Sequence, residues 1–134
     1  RTPRVPEPLP PIQVDNPRYW DEVINGMIHV VHGPRGTARR IGRDAPYRMA
    51  GKTGTSQVFS LGQNERYNAK ELDKRLHDHA LFVAFAPAQE PRIAVAVLAE
   101  HGGGGSSTAA PIARQVLDAW LAPSAPEPLA GGPP

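Results

Sequence analysis

The sequence predicts an α+β fold, an antiparallel sheet of three strands flanked by helices, and three observations predict it. Trp20, Val23, Ile24, Met27, Ile28 and Val31 recur at helical spacing. Ala80 to Ala86 and Ile93 to Ala99 are nearly unbroken apolar runs of strand length, joined by Pro87-Ala88-Gln89-Glu90-Pro91, a loop short enough for a hairpin. Ala109, Ile112, Ala113, Val116, Leu117 and Trp120 mark a closing amphipathic helix. With a further strand ahead of the hairpin, the order helix, strand, hairpin, helix gives an α+β layer around a meander.

The first helix has Asn16 as its cap, Pro17 at its first position, Asp21 and Glu22 in the early turns and Gly33 as its stop. Its apolar face is expected to be core. Arg35 to Pro46 shows no period and reads as a loop feeding a strand over Tyr47 to Phe59. Asn68 caps a short helix over Ala69 to His77, with Glu71 three residues on and Leu72 and Leu76 on one side. The hairpin strands are apolar without alternation, which predicts helices on both faces of the sheet. Gly102 to Gly105 ends the last strand and is expected to form a flexible strand-to-helix turn at one end of the sheet.

The chain has 134 residues and 40% apolar content, enough for one small domain, yet its 16 prolines are many for a compact fold. Their placement resolves this. Pro3, Pro6, Pro8, Pro10, Pro11 and Pro17 crowd the start, and Pro123, Pro126, Pro128, Pro133 and Pro134 the end. Residues 1–14 therefore read as an extended proline-rich segment, 15–121 as the folded part and 122–134 as a disordered Pro/Gly-rich tail. With no cysteine, disulfides and thiolate chemistry are excluded. The net charge is +2, so the cluster Arg35, Arg39, Arg40, Arg43 and Arg48 reads as a solvated basic loop, and no nucleic acid partner is expected. No apolar run reaches the roughly 18 residues that cross a bilayer, and no signal peptide opens the chain, so a membrane anchor is expected outside these residues.

The chemistry-bearing stretch is Lys52-Thr53-Gly54-Thr55. Gly51-Lys52-Thr53 could end a phosphate-cradling G-x-x-x-x-G-K-T loop, but Pro46 stands where the first glycine must be, and no helix pattern follows Thr53. What remains is the Lys-Thr-Gly signature of serine acyl enzymes that handle penicillin and peptidoglycan. Side chains alternate along a strand, so Lys52 and Gly54 share one face and Thr53 and Thr55 the other, unless twist or an edge position lets a threonine hydroxyl reach the cleft. His77-Asp78-His79 with Glu100-His101 could hold a metal, but the spacing supplies no third ligand, and a solvated turn entering the strand is the plainer reading. His29 and His32 stand near a helix end, where they can meet the terminal carbonyls. Gly102 to Gly105 lacks the Lys-Ser/Thr pair of a phosphate loop.

Read in order, Gly36-Thr37-Ala38, Ala45-Pro46-Tyr47, Gly51 to Val58, Tyr67-Asn68-Ala69, His79-Ala80-Leu81 and Ala84-Phe85-Ala86-Pro87 resemble the class B penicillin-binding proteins. The elongation transpeptidases among them are the nearest match. The resemblance runs from about Asn16 to Leu121 and covers only the C-terminal portion of that family's penicillin-binding/β-lactamase-like transpeptidase domain.

It implies a peptidoglycan D,D-transpeptidase that works by serine acyl transfer and is blocked by β-lactams, with the Ser-x-x-Lys and Ser-x-Asn motifs lying outside this chain. None of Ser56, Ser60, Ser106, Ser107 or Ser124 fits either motif. The chain thus reads as a C-terminal piece of a larger enzyme, inactive by itself. By the same resemblance, Lys52 reaches the serine of the Ser-x-Asn corner and sets positive charge beside the substrate carboxylate. Thr53 and Thr55 offer hydroxyls to that carboxylate, Gly54 lets the strand approach the acyl group, and the Thr55 backbone N–H is an oxyanion donor. No cofactor or metal is implied. The implied partners are peptidoglycan stem peptides, β-lactams, the remainder of the transpeptidase domain and cell-elongation membrane proteins, at the periplasmic side of a bacterial inner membrane. The alternative is a non-catalytic binding module on a penicillin-binding-like sheet, which has no need of the Lys52, Thr53 and Gly54 trio.

Overall fold

The computed structural model describes residues 9–58 and 73–122. Residues 1–8 of the proline-rich opening, Phe59, the part of the expected helix from Asn68 up to residue 72, the Tyr67-Asn68-Ala69 stretch and the tail from residue 123 onward lie outside the described residues.

The sheet has the expected architecture. Strands β1 (Ala50–Ser56), β2 (His79–Ala86) and β3 (Ile93–Ala99) pair antiparallel in the order β1-β2-β3. Helix α1 (Arg18–His32) precedes them and helix α3 (Ala110–Leu121) follows. Asn16 Oδ1 accepts the Arg18 backbone N–H at 3.0 Å, and Pro17 already has helical dihedrals, so the expected cap and first position hold. Two details differ from the sequence reading. The loop over Arg35 to Pro46 contains a one-turn helix α2 (Arg39–Gly42), too short for any period to show, which buries Ile41. After the undescribed segment, a 3-10 turn over Lys74–Leu76 leads into β2.

Although β2 is apolar throughout, its burial alternates. Ala80, Phe82, Ala84 and Ala86 are buried and join Ala113 and Leu117 of α3 in the main core, with Met49 and Ile41. On the opposite face, α1 packs Ile24, Met27 and Ile28 against Ala50, Phe85 and Ala88. The expectation of helices on both faces is therefore met only in part, because Val83 and Leu98 stay 45% and 59% exposed. A helix is about 10 Å wide and strands lie about 4.8 Å apart, so α1 beside β1 shields about two strands of three.

The apolar face of α1, expected to be core, is covered only in part, and the stripe that marked α3 is likewise divided. Trp20 and Val23, at the start of α1, are exposed, and so are Ile112, Val116 and Trp120 of α3. The small side chains of Ala109, just ahead of α3, and of Ala110 and Ala113 within it, with Leu117, let the helix approach the sheet closely, and this turns the larger residues outward.

A polar cluster fastens α3 to the chain just before β1. Tyr47 Oη donates to Asp118 Oδ1 at 2.6 Å, while Arg114 Nε donates to both oxygens of the same carboxylate at 2.7 and 2.8 Å. The other Arg114 nitrogens donate to the carbonyls of Ile41 and Asp44, and its guanidinium lies 5.8 Å from the Tyr47 ring centre. Burial alone would raise the Asp118 pKa, but the hydrogen bonds from Arg114 and Tyr47 and the charge of Arg114 outweigh it and hold the carboxyl below its ordinary range. Burial and the bond to Asp118 push the Tyr47 phenol well above its ordinary value.

Candidate functional site

Strand β1 lies at one end of the sheet order and carries Lys52, Thr53, Gly54 and Thr55 opposite Val83, Phe82, Leu81 and Ala80 of β2. The predicted alternation holds. Lys52 and Gly54 stand on the face of Val83 and Leu81, Thr53 and Thr55 on that of Phe82 and Ala80. Lys52 is exposed, and its Nζ donates to the Thr53 carbonyl at 2.6 Å. Thr53 is half-buried, with its Oγ1 3.3 Å from that of Thr37; Thr55 is exposed.

Glycines let the strand sit where it does. Gly51 is buried under the Phe82 ring, whose Cζ would be 2.5 Å from any Cβ added there. At Gly54 an added Cβ would meet the Leu81 Cβ at 3.2 Å and the Leu81 carbonyl oxygen at 4.0 Å. Its backbone is another matter. Gly105 is buried against it, and a Cβ on Gly105 would stand 2.5 Å from the Gly54 carbonyl oxygen and 3.0 Å from its nitrogen. The Gly102 to Gly105 turn is thus packed against the Lys-Thr-Gly strand, and it is pinned rather than loose. Thr108 Oγ1 donates to the Gly102 carbonyl at 2.7 Å and Ser107 Oγ to the Gly104 carbonyl at 3.0 Å.

The start of β1 is tied to α1 by His32, whose Nε2 accepts the Met49 backbone N–H at 3.0 Å. Burial first, then the charges of Arg48 and Arg114, lower the His32 pKa, so the ring stays neutral and keeps its lone pair for Met49. The helix-end reading fails for both: His29 Nδ1 lies 2.7 Å from the Asn25 carbonyl, one turn back inside the helix, and the His32 side chain reaches away from its helix to hold the strand. No local signal in the sequence marks this bond, which joins residues 17 apart.

The histidines around β2 are brought together as a structural joint. The His101 N–H donates to His79 Nδ1 at 2.9 Å, the two rings meet edge to face at 4.9 Å, and His101 Nδ1 lies 3.3 Å from the His77 carbonyl. Asp78 is buried, and its carbonyl accepts the Gly103 N–H at 2.8 Å, so this is not the solvated turn that the spacing suggested. Among the described residues, no group of three or more His, Asp or Glu side chains is placed to hold a metal ion. No helix among them is long and apolar enough to cross a membrane.

Comparison with known proteins gives this geometry a family. Residues 4–118 match the family model described as the penicillin binding protein transpeptidase domain. The peptidoglycan D,D-transpeptidase MrdA of Haemophilus influenzae is 50% identical over 112 residues, which are 84% of this chain and 17% of that protein. Crystalline PBP2 of Pseudomonas aeruginosa, in complex with WCK 5153, superimposes with a TM-score of 0.73 at 48% identity and covers 91% of this chain and 24% of its own. PBP2 of Helicobacter pylori, in its complex with MreC, gives a TM-score of 0.62 at 28% identity, covering 77% of this chain and 17% of its own. The chain therefore spans about a sixth to a quarter of the length of these relatives. In sequence and in fold alike, it belongs to the penicillin-binding protein transpeptidase domain family.

Proposed function

We propose that this chain forms the Lys-Thr-Gly wall of a peptidoglycan D,D-transpeptidase of the elongation type, whose serine nucleophile comes from the remainder of the domain. The serine attacks the penultimate D-alanine carbonyl of a stem peptide, the terminal D-alanine leaves, and an amine of a neighbouring stem peptide resolves the ester. Lys52 supplies positive charge beside the substrate carboxylate, and the Thr53 and Thr55 hydroxyls donate to it. The Thr55 backbone N–H stabilises the developing oxyanion, a contribution that typically amounts to ~10²–10³ in rate. Gly54 leaves room for the acyl group, and no metal or organic cofactor takes part. β-Lactams acylate the same serine.

The observation that carries this reading is Lys52-Thr53-Gly54-Thr55 on the end strand of a sheet that belongs to the penicillin-binding transpeptidase family. A strand with a free edge can take an extended peptide as a further strand. The complex of the Helicobacter pylori relative with MreC supports a place among cell-elongation proteins. By its resemblance to the elongation transpeptidases, we read the whole enzyme as anchored in the inner membrane with this domain in the periplasm. The test is labelling of the full-length protein by a fluorescent penicillin. Wild-type protein is expected to be labelled and Lys52→Ala to lose most of the label. Absence of labelling in the wild type would favour a non-catalytic binding module, and near-normal labelling of Lys52→Ala would remove Lys52 from the site.

A further inference from the structure

We propose that Thr37 is a positioning residue, which holds the Thr53 hydroxyl as a hydrogen-bond donor toward the carboxylate of the substrate. The inference rests on the reading of β1 given above and adds to it a residue that lies on neither the strand nor the Lys-Thr-Gly motif.

The loop between α1 and α2 is built to place Thr37. The Gly33 N–H donates to the His29 carbonyl, the Gly36 N–H to the Gly33 carbonyl and the Ala38 N–H to the Val30 carbonyl, each at 3.0 Å. A Cβ on Gly36 would stand 2.5 Å from the His29 carbonyl oxygen, so only glycine lets the chain turn this tightly, and Ala38 is buried in the core. Thr37 is held between these two anchors while its own side chain stays exposed. It therefore has little packing to do. What it has is a hydroxyl 3.3 Å from that of Thr53, sixteen residues away.

A hydrogen bond between two hydroxyls uses the hydrogen of one and a lone pair of the other. A threonine hydroxyl has a single O–H to give and two lone pairs, whereas an ionised carboxylate can only accept. If Thr53 gave its hydrogen to Thr37, it would present the carboxylate with lone pairs alone. With a carboxylate bound, the bonds must run from Thr37 to Thr53 and on to the carboxylate, each polarising the next. At 3.3 Å the pair is longer than the usual ~2.7–2.8 Å for such bonds, a spacing that often tightens only once substrate is bound.

The test compares acylation of the full-length protein by benzylpenicillin and by its methyl ester, which lacks the charged carboxylate. Thr37→Val is expected to slow acylation by the free acid roughly three- to tenfold, the worth of one hydrogen bond, and to leave the ester rate unchanged. Thr37→Ser should restore the free-acid rate. In the double variant Thr37→Val/Thr53→Val the loss should not exceed that of Thr53→Val alone, because the two hydroxyls act in series. Taking the acid-to-ester ratio within each variant makes the result independent of the folded fraction. An unchanged ratio in Thr37→Val, with Lys52→Ala still impaired, would overturn the role of Thr37 and leave the proposed function standing. A wild-type protein that neither substrate acylates would overturn both.

Discussion

Gly105 packs directly on the backbone of Gly54, with space for a hydrogen and none for a methyl group. The turn that ends the third strand thereby buttresses the Lys-Thr-Gly strand, although the two are far apart in sequence. Gly105→Ala should force backbone against backbone, where no flexible side chain can yield. The expected cost is about 1–3 kcal/mol, a fall of several degrees in the thermal midpoint of the intact protein. An unchanged midpoint would mean that the turn and the strand are not packed together.

Gly54 should respond differently. A Cβ there meets a side chain rather than backbone as its tight contact, the Leu81 Cβ at 3.2 Å, and asks it to give by a few tenths of an ångström. Gly54→Val is expected to reduce penicillin acylation of the full-length protein far more than it reduces the melting temperature. A large fall in melting temperature, with normal acylation of the fraction still folded, would show that the glycine serves the backbone alone.

The bond from Met49 to His32 makes stability depend on pH. The folded state lowers the His32 pKa from 6.5, through burial and the charges of Arg48 and Arg114, so the unfolded chain takes up the proton first. The stabilisation is fully present above pH 6.5 and is lost as the pH falls through the lowered folded value. Denaturant titrations at pH 7.5 and 5.5 should show wild type losing more stability on acidification than His32→Ala. Parallel losses in the two proteins would show that His32 is not the titrating group.

Asp118 holds both Tyr47 and Arg114. Its carboxylate is 42% exposed, so solvent weakens the ion pair, and Asp118→Ala is expected to cost only about 1 kcal/mol. The clearer sign should be the tyrosine. Without its acceptor, Tyr47 should ionise closer to the ordinary phenol range, as read by the ultraviolet absorbance of phenolate. A titration curve identical to that of wild type would separate Tyr47 from Asp118.

By itself, the sequence determined whatever depends on near neighbours. Asn16 and Pro17 announced α1, the five residues from Pro87 to Pro91 announced the hairpin, and strand alternation put Thr53 and Thr55 on one face and Lys52 and Gly54 on the other. These follow from backbone geometry within a few residues, which any reading of period and turn chemistry can reach. Periodicity also marked apolar stripes on α1 and α3 but could not tell which part is covered. Trp20, Val23, Ile112, Val116 and Trp120 are exposed because the small residues of α3 and the width of one helix set what meets the sheet. Only the tertiary structure decided that Gly105 supports Gly54, that His32 holds Met49 and that Thr37 faces Thr53. Each pair joins elements whose approach is set by the whole core, and no spacing along the chain encodes it.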